Sequence, residues 1–265
     1  MRVALFATCL GDQFFADACA DAVRLLRHLG VEVDVPRGQT CCGQPAFNAG
    51  RREEAERMAR HTLAVLEGAD HVVLPSGSCA GMIRCFYPEL VRAADPGRGA
   101  DAGVASAARD AERTAGRTYE LSQFIVEVLG VDRLGEGLAG QRVAYHHSCH
   151  ALRELGVRDA PLTLLRGCGA EVLPWIAAEE CCGFGGLFSA KLPEVSAGMA
   201  DRKLGTLPAA DFVTSSDAGC LLQLSGRASH RRADGPPFLH LASALWRGVS
   251  LGALGSPVAS GRGRT

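Results

Sequence analysis

Two adjacent-cysteine turns carry most of the chemistry available to this chain. Cys41-Cys42-Gly43-Gln44-Pro45 returns 140 residues later as Cys181-Cys182-Gly183-Phe184-Gly185-Gly186. Each pair has one cysteine upstream, Cys9 or Cys149, with 31 residues between in both cases. Each also has one downstream, Cys79 after 36 intervening residues and Cys220 after 37. Eight of the eleven cysteines therefore fall into one duplicated pattern. Four thiolates are the usual protein contribution to an iron–sulfur cluster. Neighbouring side chains diverge, so a vicinal pair suits two irons of a larger core better than one small ion. Zinc sites space their paired cysteines by two to four residues instead. Gly43 and Gly183 suit a tight loop that brings backbone close to a bulky inorganic core and offers N–H groups to sulfur. Three other readings stand beside this one: buried small hydrophobes, a vicinal disulfide at each pair, and a zinc-stabilised, non-catalytic scaffold.

Cys19, Cys85 and Cys168 have no partner in the repeat and are expected in the core. His146, His147 and His150 bracket Cys149. His147 and His150 are candidate proton donors or tuners of a metal centre, whereas His146 is expected only to cap or pack at a strand end. His240 is expected as a satisfied core histidine. Lys191 and Lys203, the only lysines, are expected in solvent. No phosphate-cradling G-x-x-x-x-G-K-[ST] is present, and Gly183-x-Gly185-Gly186 lacks the spacing of a dinucleotide fingerprint. No ferredoxin-type cysteine run occurs either, so any electrons have to be exchanged with a partner.

The elements that must hold these residues alternate between strand and helix. Residues 2–8 read as a strand ending at Cys9, followed by a helix over 12–29 with Phe15, Ala18, Cys19, Ala22, Leu25, Leu26 and Leu29 on one stripe. Residues 31–35 read as a second strand, 51–66 as a second helix, and 71–74 as a third strand with 75–79 as its exit loop. Residues 95–118 look like a surface loop with a helical piece, 121–129 like a helix, and 131–141 like a linker. The second half repeats the first: Arg142-Val143-Ala144 echoes Arg2-Val3-Ala4, and the stretch 238–245 echoes 119–125. The expected fold class is α/β, with two pseudo-repeated domains over 1–131 and 142–251, each a small parallel sheet flanked by helices. Residues 252–265 are expected to be a disordered tail. In such sheets ligands bind beyond the carboxyl ends of strands, where all the repeated cysteines fall.

Composition narrows the function classes. The net charge is −1, charged residues make up 22%, and basic and acidic side chains are interleaved, so no face is advertised to nucleic acid. No apolar run reaches the length of a membrane span. The apolar N-terminus is short and reads as a buried strand, not a signal peptide. With this many cysteines a reducing, cytoplasmic setting favours metal or redox roles over disulfides.

The stretches Pro75-Ser76-Gly77-Ser78-Cys79-Ala80-Gly81-Met82, His147-Ser148-Cys149-His150, Cys181 to Gly186, and Asp217-Ala218-Gly219-Cys220-Leu221 resemble a known signature. It is the duplicated cysteine-rich "CCG" domain found in heterodisulfide reductase and in the iron–sulfur components of glycolate and glycerol-3-phosphate dehydrogenases. The resemblance is closer to the lactate-utilisation protein A family, which consists of the two halves alone. It implies a cytoplasmic iron–sulfur oxidoreductase component that works with two partner proteins, one of them ferredoxin-like, in oxidising L-lactate to pyruvate. It also implies that Cys9, Cys41, Cys42 and Cys79, and Cys149, Cys181, Cys182 and Cys220, ligate [4Fe–4S]-type clusters, one or two per chain. The disulfide-reductase pattern ends in C-x-x-C, whereas Ser76 and Asp217 stand here at the first cysteine of each such pair. Ser76 Oγ and the Asp217 carboxylate are therefore candidate oxygen ligands, and a heterodisulfide or thiol reductase is the alternative activity.

Overall fold

The computed structural model describes residues 1–93, 102–231 and 235–255. The first half runs β1 (Arg2–Leu5), α1 (Cys9–Phe14), α2 (Ala16–His28), β2 (Glu32–Asp34), α3 (Gln44–Asn48), α4 (Arg52–Val65), β3 (His71–Leu74), α5 (Gly77–Gly81), a π-helical turn (Met82–Phe86) and α6 (Tyr87–Ala93). It ends with α7 (Ala102–Gly116), β4 (Thr118–Glu120), α8 (Leu121–Gln123) and a second π-turn (Phe124–Val128). The second half repeats this with β5 (Arg142–Tyr145), α9 (Cys149–Arg153), α10 (Ala160–Gly167), β6 (Glu171–Val172), α11 (Leu187–Lys191), α12 (Pro193–Leu204), β7 (Phe212–Ser215), α13 (Ala218–His230), β8 (Phe238–His240) and α14 (Leu241–Gly255). The fold is thus α/β, with two four-stranded parallel sheets ordered β2-β1-β3-β4 and β6-β5-β7-β8. The registers correspond: Val3 pairs with Val33 and His71, and Val143 with Val172 and Phe212. Strand order reverses between β1 and β3, and between β5 and β7, which opens a crevice at their carboxyl ends. Cys9 and Cys79 follow β1 and β3, and Cys149 and Cys220 follow β5 and β7.

Several expected boundaries shift for local reasons. The helix expected over 12–29 breaks at Phe15, so that a short α1 starts at Cys9 itself, capped by Thr8 Oγ1, which accepts from Gly11 N at 3.1 Å. The expected exit loop 75–79 is partly helical, because Ser76 Oγ accepts from Cys79 N and caps α5. Cys79 and Cys220 therefore sit in first helical turns. Of the stretch expected as a loop, 102–116 is α7, and 94–101 lies outside the described residues. Of the tail expected over 252–265, residues 252–255 are the end of α14, and 256–265 lie outside the described residues. The 131–141 segment has no helix or strand, yet it is pinned onto the second half: Gly137 N donates to Gly248 O and Leu138 N to Cys168 O, with Leu138 buried.

The halves share a core. One cluster of buried side chains joins Val3, Leu5, Leu25 and Leu26 to Val143, Leu164, Leu165, Leu241 and Leu245. The contacts come in pairs related by the repeat. Helix α2 packs on α14, and α10 on α8 and its π-turn. Helix α5 packs on α9, and α1 on α13. At α5–α9 the approach needs Gly77, because a Cβ there would sink into Ala151. The corresponding positions at α1–α13 are Gly11 and Ala218.

One buried carboxylate ties the halves together. Asp217 Oδ1 accepts from Ser76 Oγ at 2.7 Å and from Ser78 Oγ at 2.6 Å, and Ser78 N donates to the same group at 3.1 Å. Asp217 itself is 3% exposed. Beneath it, Glu120 is fully buried at the end of β4, with Oε2 accepting from Ser122 N, Ser122 Oγ and Gln123 N while Oε1 has no partner among the described residues. Burial, with the Asp217 charge adding, raises its carboxyl from 4.5 to about 7. At the matching place in the second half, His240 donates from Nε2 to Ser216 O and accepts at Nδ1 from Ala242 N, so it is a satisfied core residue as expected.

These buried groups set measurable stabilities. Asp217→Ala leaves two hydroxyls and a backbone N–H without their acceptor, so it should lower unfolding free energy by about 2–4 kcal/mol in denaturant titration; a loss below about 0.5 kcal/mol would contradict the inter-half role. The stability that Glu120 contributes is present below its unfolded value near 4.5 and is lost as pH rises through about 7. Glu120→Gln should therefore remove up to about 3 kcal/mol of the decline in wild-type stability between pH 4.5 and 8; identical pH profiles would contradict it.

Candidate metal centre

All eight repeated cysteines line one cavity of about 220 Å³ between the two halves. The walls are the switch-point ends of both sheets plus the two cysteine-pair turns. Cys42, Cys79, Cys182 and Cys220 are buried, and Cys9, Cys41, Cys149 and Cys181 are partly exposed. In each half the sulfurs form a chain of contacts, with Cys42 Sγ 3.3 Å from Cys79 Sγ, well beyond a covalent bond. All eleven cysteines are free.

The turns are held from outside the cavity. Gly43 and Gly183 have φ of 86° and 87°, in the left-handed region that favours glycine. Their missing side chains make room for the following helix: a Cβ on Gly183 would lie 2.6 Å from Ser196 O, and one on Gly43 3.2 Å from Ala55 O. Both glycines thus give α4 and α12 a close approach to the turns. The backbone also donates to sulfur as expected, from Gly183 N to Cys181 at 3.4 Å and from Phe184 N to Cys182 at 3.5 Å. Thr8, which precedes Cys9, holds a φ of 63° and is the only non-glycine residue with positive φ among the described residues. For a β-branched residue this is strain of about 1–3 kcal/mol, stored beside the site.

The loops are clamped differently in the two halves. Tyr87 Oη donates to Cys42 O at 2.7 Å in the first. In the second, Lys203 is completely buried, donating from Nζ to Ala177 O, to Ala178 O and to Glu180 O, and lying 4.3 Å over the Trp175 ring. This corrects the solvent placement expected for Lys203; Lys191 is exposed. Burial pulls the Lys203 ammonium down to about 8, with the nearby cysteines opposing.

Electrostatics show what the sulfurs lack. Contacts with Cys42 and Cys9 pull Cys41 down to about 3, and contacts with Cys149 and Cys182 pull Cys181 down to about 2. Cys9 and Cys42 are driven up by Cys41 and burial, and Cys149 and Cys182 by Cys181 and burial. Each half thus favours one thiolate solvated by neighbouring thiols. Ionising the rest at such close quarters needs a cationic core to offset their repulsion. Eight converging soft donors fit a metal or iron–sulfur group.

The other candidates separate. His150 lines the cavity, and its bond from Nδ1 to Glu154 Oε1 at 2.7 Å raises its pKa. His147 does not line it; its ring packs edge-on against Tyr145, and burial lowers its pKa. His146 is completely buried, with a ring nitrogen, Cys182 Sγ and Cys220 Sγ all within 4.8 Å of one another. Sequence reasoning gave it only a packing role, although its place three residues before Cys149 was the available signal. Ser76 and Asp217 line the cavity but are bonded to each other, so their oxygens already have partners. Cys168 is fully buried, and Cys19 is half-buried with Sγ donating to Ala7 O. Cys85 is exposed on the first π-turn, contrary to the core placement expected.

Comparison with known proteins adds to the geometry. The cysteine-rich domain family, CCG, matches residues 3–84 and again 143–225. The chain is 44% identical over 250 residues to lactate utilization protein A of Geobacillus kaustophilus (strain HTA426), covering 92% of this chain and 98% of that relative. It is 38% identical over 255 residues to lactate utilization protein A 2 of Bacillus cereus (strain Q1), covering 94% and 100%. The fold alone is shared, at a TM-score of 0.63 and 10% identity, with the crystal structure of a hypothetical protein from Helicobacter pylori, over 94% of this chain and 49% of that one. Among the described residues no helix is long and apolar enough to cross a membrane. Two matched cysteine-rich repeats, and relatives aligned along nearly their whole length, place this chain in the lactate utilization protein A family.

Proposed function

We propose that this chain is a cytoplasmic iron–sulfur oxidoreductase component of a system oxidising L-lactate to pyruvate. It acts with a ferredoxin-type iron–sulfur protein and a further subunit. The halves, 1–131 and 142–251, would each hold one [4Fe–4S]-type cluster, the first through Cys9, Cys41, Cys42 and Cys79 and the second through Cys149, Cys181, Cys182 and Cys220. The observation that carries this reading is the convergence of all eight sulfurs on one cavity. The names of the relatives supply the lactate context.

When bound, such clusters supply one-electron transfer, which suits a reaction releasing two electrons and two protons. The chain's own residues do the rest. Helices α1, α5, α9 and α13 present Cys9, Cys79, Cys149 and Cys220 from their first turns. Asp217, Ser76 and Ser78 keep the two sulfur sets in register. His150 is the wall residue suited to carry a proton: its Nδ1 is tied to Glu154, which leaves Nε2 to take up or release one.

Anaerobic purification should yield iron and acid-labile sulfide in near-equal amounts, about four of each per occupied half, with a paramagnetic signal on reduction. Zinc without sulfide would overturn the electron-transfer reading in favour of a scaffold, and turnover of a disulfide by the isolated protein would favour a reductase. Cys42→Ser and Cys182→Ser should each remove about half of the iron, since each deletes a buried ligand of one set only; loss of all iron in either variant would point to one shared core instead.

A further inference from the structure

The two halves are not chemically equivalent. Three residues before Cys9 stands Phe6, fully buried; three residues before Cys149 stands His146, also fully buried. His146 N donates to Thr214 O at 2.8 Å, so its backbone extends β5 alongside β7 and aims the residue at the strand ends. The ring is fixed through Nδ1, which lies 3.2 Å from Ala178 O. That carbonyl is itself held, accepting from His147 N at 3.0 Å and from Lys203 Nζ at 3.1 Å. A carbonyl can only accept, so Nδ1 carries the hydrogen and Nε2 is left with its lone pair. Nε2 is buried and has no hydrogen-bond partner among the described residues. An acceptor left in that state is destabilising unless something satisfies the atom. The sulfurs of Cys182 and Cys220 form a triad with a ring nitrogen of this histidine, all within 4.8 Å. A histidine pinned through one nitrogen on a backbone carbonyl, with its other nitrogen unpartnered and two cysteine sulfurs beside the ring, has the arrangement of a metal ligand.

We propose that His146 Nε2 is a ligand of the metal centre in the second half, a fifth donor beside the four cysteines there. This rests on the reading that each half holds a metal centre. The first half has no counterpart, because a phenyl ring occupies the matching place. The two centres are therefore unlike.

The test is pulsed electron paramagnetic resonance on anaerobically purified, reduced protein, with histidine labelled by nitrogen-15. The expected result is a strongly coupled nitrogen that changes with the label, disappears in His146→Phe and persists in His150→Gln. His146→Phe copies the residue found in the first half, and it should shift the potential of one centre while leaving the other unchanged. Wild-type protein alone can overturn the assignment: iron and sulfide present, with no strongly coupled histidine nitrogen, would do so. So would a coupling that survives in His146→Phe. Absence of iron and sulfide would overturn the functional reading, and this assignment with it.

Discussion

The close approach of the two halves decides what kind of site this protein has. Helix α5 lies against α9 because Gly77 leaves room for Ala151, and Asp217 reaches across to Ser76 and Ser78. Without that contact the two sulfur sets would sit in separate crevices, each open to water. With it, the ends of two sheets face one another and eight cysteines line a single cavity. Ser76 and Asp217 occupy matching positions in the repeat, so one serine and one carboxylate form across the pseudo-twofold a bond that two identical residues would make less well. The carboxylate accepts, the hydroxyls donate, and both groups are desolvated in a satisfied state.

Electrostatics then limit what can fill the cavity. Packed thiols with one low-lying thiolate per half are a starting point for binding a cation, and further ionisation without one is costly. The helix first turns, the N–H groups of Gly183 and Phe184, and the strained Thr8 all orient sulfur toward the same space. The halves differ in what backs the sulfurs, which is Phe6 and Tyr87 in one and His146 and Lys203 in the other. Duplication accounts for the shared geometry, and these few substitutions account for the asymmetry.

Much of this was legible in the sequence. The repeat of three gaps marked the eight cysteines, the apolar stretch 72–74 located a strand because buried parallel strands read as short apolar runs, and the echo of Arg2-Val3-Ala4 in Arg142-Val143-Ala144 located another. Alternation of strand and helix then placed the cysteines at carboxyl ends. What escaped depended on contacts distant in the chain. Lys203 read as solvated because a lone lysine on a polar helix usually is; its burial depends on three carbonyls and Trp175 meeting it from another loop. The helical turn that carries Cys79 followed from a cap on Ser76 that a search for ligand spacing treats as a missing cysteine. Cys85 faces outward because it lies two residues from buried Ile83 and two from buried Tyr87, on the opposite side of the helix, a position that treating every unrepeated cysteine as core overlooks.

The central claim is that two remote sets of four cysteines enclose inorganic cores on facing walls of one cavity. Diffraction from anaerobically grown crystals, with anomalous differences collected at the iron edge, tests it directly. The account predicts iron density in two places, one bounded by Cys9, Cys41, Cys42 and Cys79 and the other by Cys149, Cys181, Cys182 and Cys220. Iron found against Cys19, Cys85 or Cys168 instead, or a cavity filled by metal other than iron, would contradict it.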